Sequence, residues 1–292
     1  MDIDVPIRRD LRPEAAGLRR WLMLACAAVF LQLSAPAGAQ PNASTERAGL
    51  LLGAFVTDRR SSTRLDGAGG NLGTDIDLEE DLGLDSSTSV GRLGGYLWFG
   101  RRHRFDAALF DLSRSASLPI DKTIEFGDEV FAISTVVTTK SDLQILKADY
   151  TFAALARDRG WLGVVGGLYV AKTSLTLSEP TLGKLESDDL TAPLPLLGLR
   201  GEYAIGNRFT LRGAAQWFGY DAGDVGGRLT DLYVGADYAF NPRFALGVAY
   251  DRVSMNVDAK EDSGLSGRLD WGYDGVLLYL KVDFGSRNAG GR

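Results

Sequence analysis

Cysteine and histidine are almost missing from this chain, each occurring once, at Cys26 and His103. Basic excess is missing too: 32 Lys and Arg stand against 38 Asp and Glu, a formal net charge of −6. An acidic chain without a basic stripe is a poor nucleic-acid binder, so no nucleic-acid partner is expected. No stretch is apolar for long enough to be a membrane helix. The best candidate, Trp21 to Leu33, would span roughly 20 Å as a helix, short of a hydrocarbon core of about 30 Å. That shortfall excludes helical spans but not barrel strands, which alternate and never build such a run.

What is present first is an export signal, predicted over residues 1–39. Arg8, Arg9, Arg12, Arg19 and Arg20 precede the apolar core, and Ala37-Gly38-Ala39 follows as a small-residue cleavage site. An uncleaved anchor is the alternative. The charged leader is long for a signal, which fits a start codon placed too far upstream. Cys26 lies inside the core and not at its end, against lipidation. Cleavage after Ala39 leaves no cysteine, excluding disulfides and thiolate catalysis. It also removes five basic and four acidic side chains, leaving 27 and 34 and a formal net of −7.

Beyond residue 40, segments of about ten residues alternate apolar and polar positions and end in turn residues. Ten strands are predicted, near 49–58, 88–99, 104–114, 142–155, 161–174, 193–205, 208–219, 228–240, 244–256 and 272–284. Four connections are very short: Gly100-Arg101-Arg102-His103, Ala156 to Gly160, Gly206-Asn207 and Asn241-Pro242-Arg243. The other five, at 59–87, 115–141, 175–192, 220–227 and 257–271, are longer or more polar. Long and short strictly alternate, as in barrels with short turns on one side of a membrane and long loops on the other. In the strands at 142–155, 228–240 and 272–284 one face is apolar and the other carries charge. Backbone edges cannot stay unpaired in lipid, so such strands must close. The prediction is therefore all-β: a transmembrane antiparallel up-and-down β-barrel of about ten strands over 49–285. A short segment at 40–48 and a tail at 286–292 flank it, both periplasmic. Eight or twelve strands stay open, because Ile124, Phe126, Val130 and Ile133 within 115–141 fit a further hairpin. The strands at 49–58 and 104–114 alternate too poorly to assign faces.

The export signal, the aromatic-flanked turns and the closing Tyr279-Leu280-Lys281-Val282-Asp283-Phe284 resemble small bacterial outer-membrane barrels of the OmpA/OmpW type. Thr74 to Leu84 and Arg101 to Asp106 are also similar to segments of an uncharacterised outer-membrane β-barrel family. The resemblance implies the outer membrane of a Gram-negative bacterium, with outer-membrane lipid and lipopolysaccharide as neighbours. It also implies handling of the C-terminal strand by the barrel assembly machinery. In that superfamily the last strand commonly ends in a terminal Phe; here Gly285 to Arg292 follow Phe284, implying recognition of an internal Phe.

The faces assigned inward carry Arg92, Lys147, Arg200, Arg212 and Lys281 against Asp149, Glu202, Asp237, Asp251 and Asp283. Charges inside a membrane protein persist when paired or wet, so equal numbers predict a mutually neutralising lumen network. Ten strands lined also by Tyr96, Trp98, Tyr169, Tyr233 and Tyr279 are expected to be mostly closed, since aqueous porins need about 16–18. A narrow polar pathway is the alternative. His103 falls in a predicted short turn on the periplasmic side, which disfavours lipid A deacylase, phospholipase and omptin-like protease activities, whose families use His. No catalytic residue and no cofactor are expected. Asp75, Asp77, Glu79, Glu80, Asp81 and Asp85 invite a divalent-cation site but lack calcium-loop spacing, so a solvated acidic strand or loop competes with it. Gly67 to Gly73 lacks the ending of a phosphate loop. Arg101, Arg102, Arg157, Arg159, Arg208 and Arg243 either contact phospholipid headgroups or are ordinary turn residues. The expected function is a non-enzymatic structural or surface-interaction role through long external loops, with no ligand identifiable. A narrow solute channel is the alternative, and an enzyme the third.

Overall fold

The computed structural model describes residues 46–66, 73–126, 129–179, 184–222, 225–259 and 267–286. The predicted export signal, Cys26, Gly67 to Leu72 and the tail after Ser286 lie outside them. Ten long strands form one antiparallel sheet that closes on itself: β1 (Glu46–Leu65), β3 (Ser87–Phe99), β4 (His103–Asp111), β8 (Val136–Arg157), β9 (Gly160–Glu179), β10 (Lys184–Ile205), β11 (Phe209–Ala222), β12 (Val225–Ala239), β13 (Phe244–Ala259) and β14 (Gly267–Ser286). Each pairs with its sequence neighbours, and β14 returns to β1 from Glu46↔Ser286 to Leu65↔Gly267. Four short elements sit between them: β2 (Ile76–Asp77), β5 (Arg114–Pro119), β6 (Ile124–Phe126) and β7 (Glu129–Phe131).

All ten predicted strands are present, and the periplasmic segment proposed for 40–48 loses its last residues to β1. Most of the supposed long loops, however, are continuing strand. β8 starts at Val136, β9 runs to Glu179, and β10 and β11–β12 are paired through most of 184–192 and 220–227. The reason lies in which face is greasy. On β14 the outward residues Val276, Leu278, Leu280 and Val282 are apolar near one end, whereas further along it is the inward residues, Trp271 and Tyr273, that are buried and aromatic. β13 switches likewise from outward Leu246 and Val248 to inward Val253 and Met255, and β8 from outward Leu146 and Phe152 to inward Val137 and Leu143. Side-chain parity holds across the switch; the hydrophobic phase inverts. Toward the turn end the wall faces a hydrophobic solvent, and toward the loop end it faces water and fills itself.

The outward belt takes in Leu50, Leu52 and Val56 on β1 and continues around the wall through Leu93, Leu109, Leu146, Leu168, Leu199, Val234, Val248 and Leu278, all more than a third exposed. A continuous band of this size has no counterpart on soluble monomers. On β14 it runs from Val276 to Phe284, which at about 3.3 Å per residue and a tilt near 40° gives roughly 23 Å, the height of a transmembrane barrel belt. Its turn-end border is a ring of aromatics, including Phe99, Phe105, Tyr150, Phe152, Tyr203, Phe240, Phe244 and Phe284. His103 belongs to this ring. It is the first residue of β4 and not a turn residue, its Nδ1 2.6 Å from the Tyr150 hydroxyl and its ring stacked on Tyr150.

The turns themselves follow local chemistry. Gly100 and Gly206 adopt φ of 69° and 63°, the left-handed region glycine reaches without strain. Asn241 closes the β12–β13 turn by accepting hydrogen bonds from the backbone N–H of Arg243 (2.8 Å) and Phe244 (2.9 Å).

At the loop end the described residues of the β1–β3 and β4–β8 connections, 73–86, 112–126 and 129–135, fold into a cap. Ile76, Leu78, Leu82, Leu84, Ile120, Ile124, Phe126, Phe131, Val137 and Leu177 form its core, separate from the barrel core. The further hairpin foreseen in 115–141 exists as β6–β7, but it pairs only with itself and adds no barrel strand. Of the solvated acidic strand or loop expected here, Asp75, Glu80 and Asp85 are exposed. β2 pairs with β1, a turn follows, and the apolar residues between the carboxylates are among the most buried of the cap.

Candidate functional site

The ten lumen charges expected from sequence all point inward, and each is ion-paired. Three more join them: Arg104 and Asp106 on β4, whose faces the sequence left unassigned, and Asp231 on β12. Six cations thus meet seven anions, close to the predicted balance.

These groups form one connected chain. Lys147 reaches Asp231 at 2.6 Å and Asp149 at 3.7 Å, and Arg200 bonds Asp149 and lies 2.9 Å from Asp106. Arg104 clamps Asp106 with Nε and Nη2 and donates from Nη1 to Glu202 at 2.6 Å. Arg212 continues from Glu202 (3.6 Å) to Asp237 (2.8 Å), and Lys281 links Asp237 (3.7 Å) to Asp283 (2.8 Å). Neutral donors complete the carboxylates. The Tyr96 hydroxyl donates to Asp283 at 2.7 Å, Trp161 Nε1 to Glu202 at 3.2 Å, Gln216 to Asp149 at 3.0 Å, and the Tyr279 hydroxyl to Asp237. Asp106, Asp149, Glu202 and Asp237 each sit between two cations. A carboxylate so held is a counter-charge, not a free base. Arg92 and Asp251 stand apart as a pair of their own, the guanidinium packed against the rings of Phe55 and Phe110 at 5.6 and 4.9 Å.

Aromatic layers close the lumen on both sides of the charges. Toward the turn end, Trp98 and Trp161 meet edge to face at 5.1 Å with Ala153 and Tyr96 beside them, and the Arg104 guanidinium lies 4.2 Å over Tyr96. Toward the loop end, Phe55, Phe110 and Tyr273 pack in mutually perpendicular pairs 5.5–6.0 Å apart, extended by Trp271, Tyr169 and Leu143. Between the layers lies a cavity of about 110 Å³, bordered by Arg92, Arg104, Asp106, Lys147, Arg200, Arg212 and Asp251. That is space for a few water molecules, which polar walls would hold.

Above the upper aromatic layer, Arg59 is 2% exposed, and its side chain makes one hydrogen bond among the described residues, from Nη1 to the Leu112 carbonyl at 3.1 Å. Burial, with the Arg114 charge nearby, pushes its guanidinium down to about 10, against a smaller opposing pull from Glu79 and Asp111. Arg114 ties cap to barrel: it bonds Glu79 and the Asp85 carbonyl, and donates to the Ser61 hydroxyl at 2.7 Å.

Among the acidic residues considered for a cation, Asp77 accepts from the backbone N–H groups of Glu79 and Glu80, and Asp81 from that of Asp77 (2.8 Å) and from Lys122 (2.6 Å). Glu79 holds Arg114 and the Ser61 N–H. Lys122 also donates to the carbonyl of Asp75. These carboxylates therefore build and tether the cap, and no three metal-type ligands converge among the described residues.

Solved structures share this architecture. The outer-membrane protease OmpT of Escherichia coli superposes with a TM-score of 0.51 at 13% identity, over 82% of this chain and 98% of that one. The chain has the fold of an outer-membrane β-barrel. The transport unit of the autotransporter AIDA-I from Escherichia coli (TM-score 0.41, 11% identity, 94% and 100% covered) is also similar. So is the translocator domain of the autotransporter NalP from Neisseria meningitidis (0.40, 14%, 92% and 96%). No protein-family model and no curated protein sequence matches the chain. At such identities an outer-membrane barrel fold is common ground, and activity is not.

Proposed function

We propose that this protein is a sealed, non-conducting and non-enzymatic barrel of the Gram-negative outer membrane, which acts at the cell surface through its folded cap. The loop end would face outward and the short turns the periplasm, as is general for such barrels. The ion-pair chain carries the reading: it spans the lumen from β12 through β8, β10, β4 and β11 to β14. A conducting pore needs wet walls with mobile ions, whereas here every lumen charge already has a fixed counter-charge and aromatic layers lie on both sides. The non-enzymatic part draws support from the engaged carboxylates and from His103, which sits on the outer wall at the turn end.

Planar-bilayer recording tests the proposal. The expected conductance is near zero for the full chain, and near zero again when both cap connections are replaced by short turns, because the ion-pair chain stays in place. Steady openings in the full chain would overturn the sealed reading, and openings only after cap removal would make the cap a gate. Hydrolysis of outer-membrane lipid or of peptides by the purified barrel would overturn the non-enzymatic part.

A further inference from the structure

The turn end of the wall carries a run of exposed arginines. At the turn end Arg47, Arg101, Arg102, Arg157, Arg159, Arg208 and Arg243 are all exposed, and none forms an ion pair among the described residues. Asp158 is the one exposed acid in those turns. Toward the loop end, Arg60 pairs with Asp274, Arg64 with Asp66, Lys122 with Asp81 and Arg268 with Asp270, while Lys140, Lys172, Arg228 and Arg252 are exposed without an ion pair among the described residues. What sets the turn end apart is that its unpaired cations are all arginine and sit together at the short turns, on a chain that is acidic as a whole.

Their height is fixed by their neighbours. Arg208 immediately precedes Phe209 and Arg243 precedes Phe244, while Arg101 and Arg102 lie between Phe99 and His103 of the aromatic ring. Aromatic rings of this kind settle at the headgroup boundary. One or two residues further along a strand is about 3–7 Å, which places the guanidinium groups at the level of the headgroup phosphates. Arg208 Nη1 also donates to the Tyr238 hydroxyl at 3.0 Å, holding one of these side chains against the ring.

One stretch of the rim is also concave. The β8–β9 turn borders a cleft of about 700 Å³ lined by the outward Leu155, Leu162 and Tyr203, by the inward Trp161 and Glu202, and by Arg157, Asp158 and Arg159. The β8–β9 register shifts between Phe152 and Leu155 there. Outward apolar side chains beside two unpaired guanidinium groups match the two halves of a phospholipid.

We infer that the turn-end rim binds anionic phospholipid headgroups of the leaflet it occupies, with the Arg157/Arg159 cleft as its strongest position. The chemistry is charge-assisted hydrogen bonding from planar guanidinium groups to phosphate, for which arginine is better suited than lysine. The inference rests on the outward belt being a membrane span. A folded barrel that inserts into vesicles but shows no lipid preference would refute the rim while leaving the span intact.

The experiment is spin-label resonance of phosphatidylglycerol and phosphatidylcholine around the barrel in phosphatidylcholine vesicles, with heat-modifiable mobility reporting the fold. The expected result is a roughly fivefold preference for phosphatidylglycerol at the best sites, falling as salt is raised. The variant R157Q/R159Q should lose most of it, and the added changes R101Q, R102Q, R208Q and R243Q the remainder, with mobility unchanged. The loop-end variant R228Q/R252Q should keep the full preference. Equal preference in wild type and rim variants, no preference in wild type, or loss only in the loop-end variant would each overturn the inference. Free glycerol phosphate at equal concentration should not compete, because it lacks the chains that fill the cleft; efficient competition would reduce the site to a soluble-phosphate patch and count against it.

Discussion

Arg92 offers the sharpest test of how the lumen is held. Among the described residues its only ion-pair partner is Asp251, outside the connected chain, and both side chains are about nine-tenths buried or more. Arg92→Met keeps an unbranched stem between Phe55 and Phe110 but leaves the Asp251 carboxylate without a cation. Breaking a buried pair from one side costs about 3–5 kcal/mol, and the lost stacking on the two rings adds about 0.5–1 kcal/mol. Asp251 borders the 110 Å³ cavity, so water can recover part of this; the expected loss is about 3 kcal/mol. Arg92→Met with Asp251→Leu removes both charges and is expected to fall within about 1 kcal/mol of wild type, since apolar replacement of a whole buried pair is often neutral. Asp251→Leu alone leaves the Arg92 cation buried without a partner and is expected to cost a similar amount, about 3 kcal/mol, so the coupling between the two sites is about 5 kcal/mol. Arg212→Met supplies the contrast: Glu202 keeps Arg104 and Asp237 keeps Lys281, so about 1–2 kcal/mol is expected. Urea unfolding in vesicles, followed by tryptophan fluorescence, measures all four. Additive losses at Arg92 and Asp251, or a larger loss at Arg212 than at Arg92, would refute the account of paired and redundant charges.

Two further outcomes follow from the loop end. Arg59 is a buried cation with one side-chain hydrogen bond among the described residues, so Arg59→Met is expected to stabilise the protein by roughly 1–2 kcal/mol at neutral pH, measured by the same unfolding assay. Its folded-state value lies below the ordinary guanidinium range, so the unfolded chain binds more protons above about pH 10 and wild-type stability should rise with pH there; the variant should lack that rise. Phe131→Ala removes a fully buried cap residue and should loosen the cap by about 3–5 kcal/mol, seen as faster proteolysis within 112–135. Heat-modifiable mobility of the barrel should stay as it was, because the two cores are separate.

The transmembrane half was legible because its outward residues are apolar and its inward ones polar, the pattern that Leu278, Leu280 and Val282 make with Tyr279 and Lys281. Above the belt the pattern reverses phase, and a reader following one greasy face ends each strand at the switch. β1 and β4 hid their faces for a different reason. Leu50, Leu51 and Leu52 are apolar without a break although only Leu51 points inward, and Ala107 and Ala108 give β4 no contrast. Arg104 and Asp106 were lost with that strand, even though Arg104 is the central clamp of the network. The lumen charges on the other strands were recoverable from parity alone. The cap was not, because its core is assembled from Ile76, Leu82, Phe126 and Phe131, whose proximity no local period encodes.

The phase inversion has a mechanical meaning. From Leu146 to Val136 the wall of β8 continues about ten residues past the belt, roughly 25 Å of tilted strand. Over that height the sheet carries its own filling and no longer depends on the bilayer to solvate its outer surface. The upper barrel is therefore a stalk, stiff and of set length. It would carry the cap clear of the lipid headgroups at an elevation governed by strand length and not by membrane thickness or composition. Shortening β8, β9 and β10 together by an even number of residues would lower that platform while leaving every side chain on its present side of the wall.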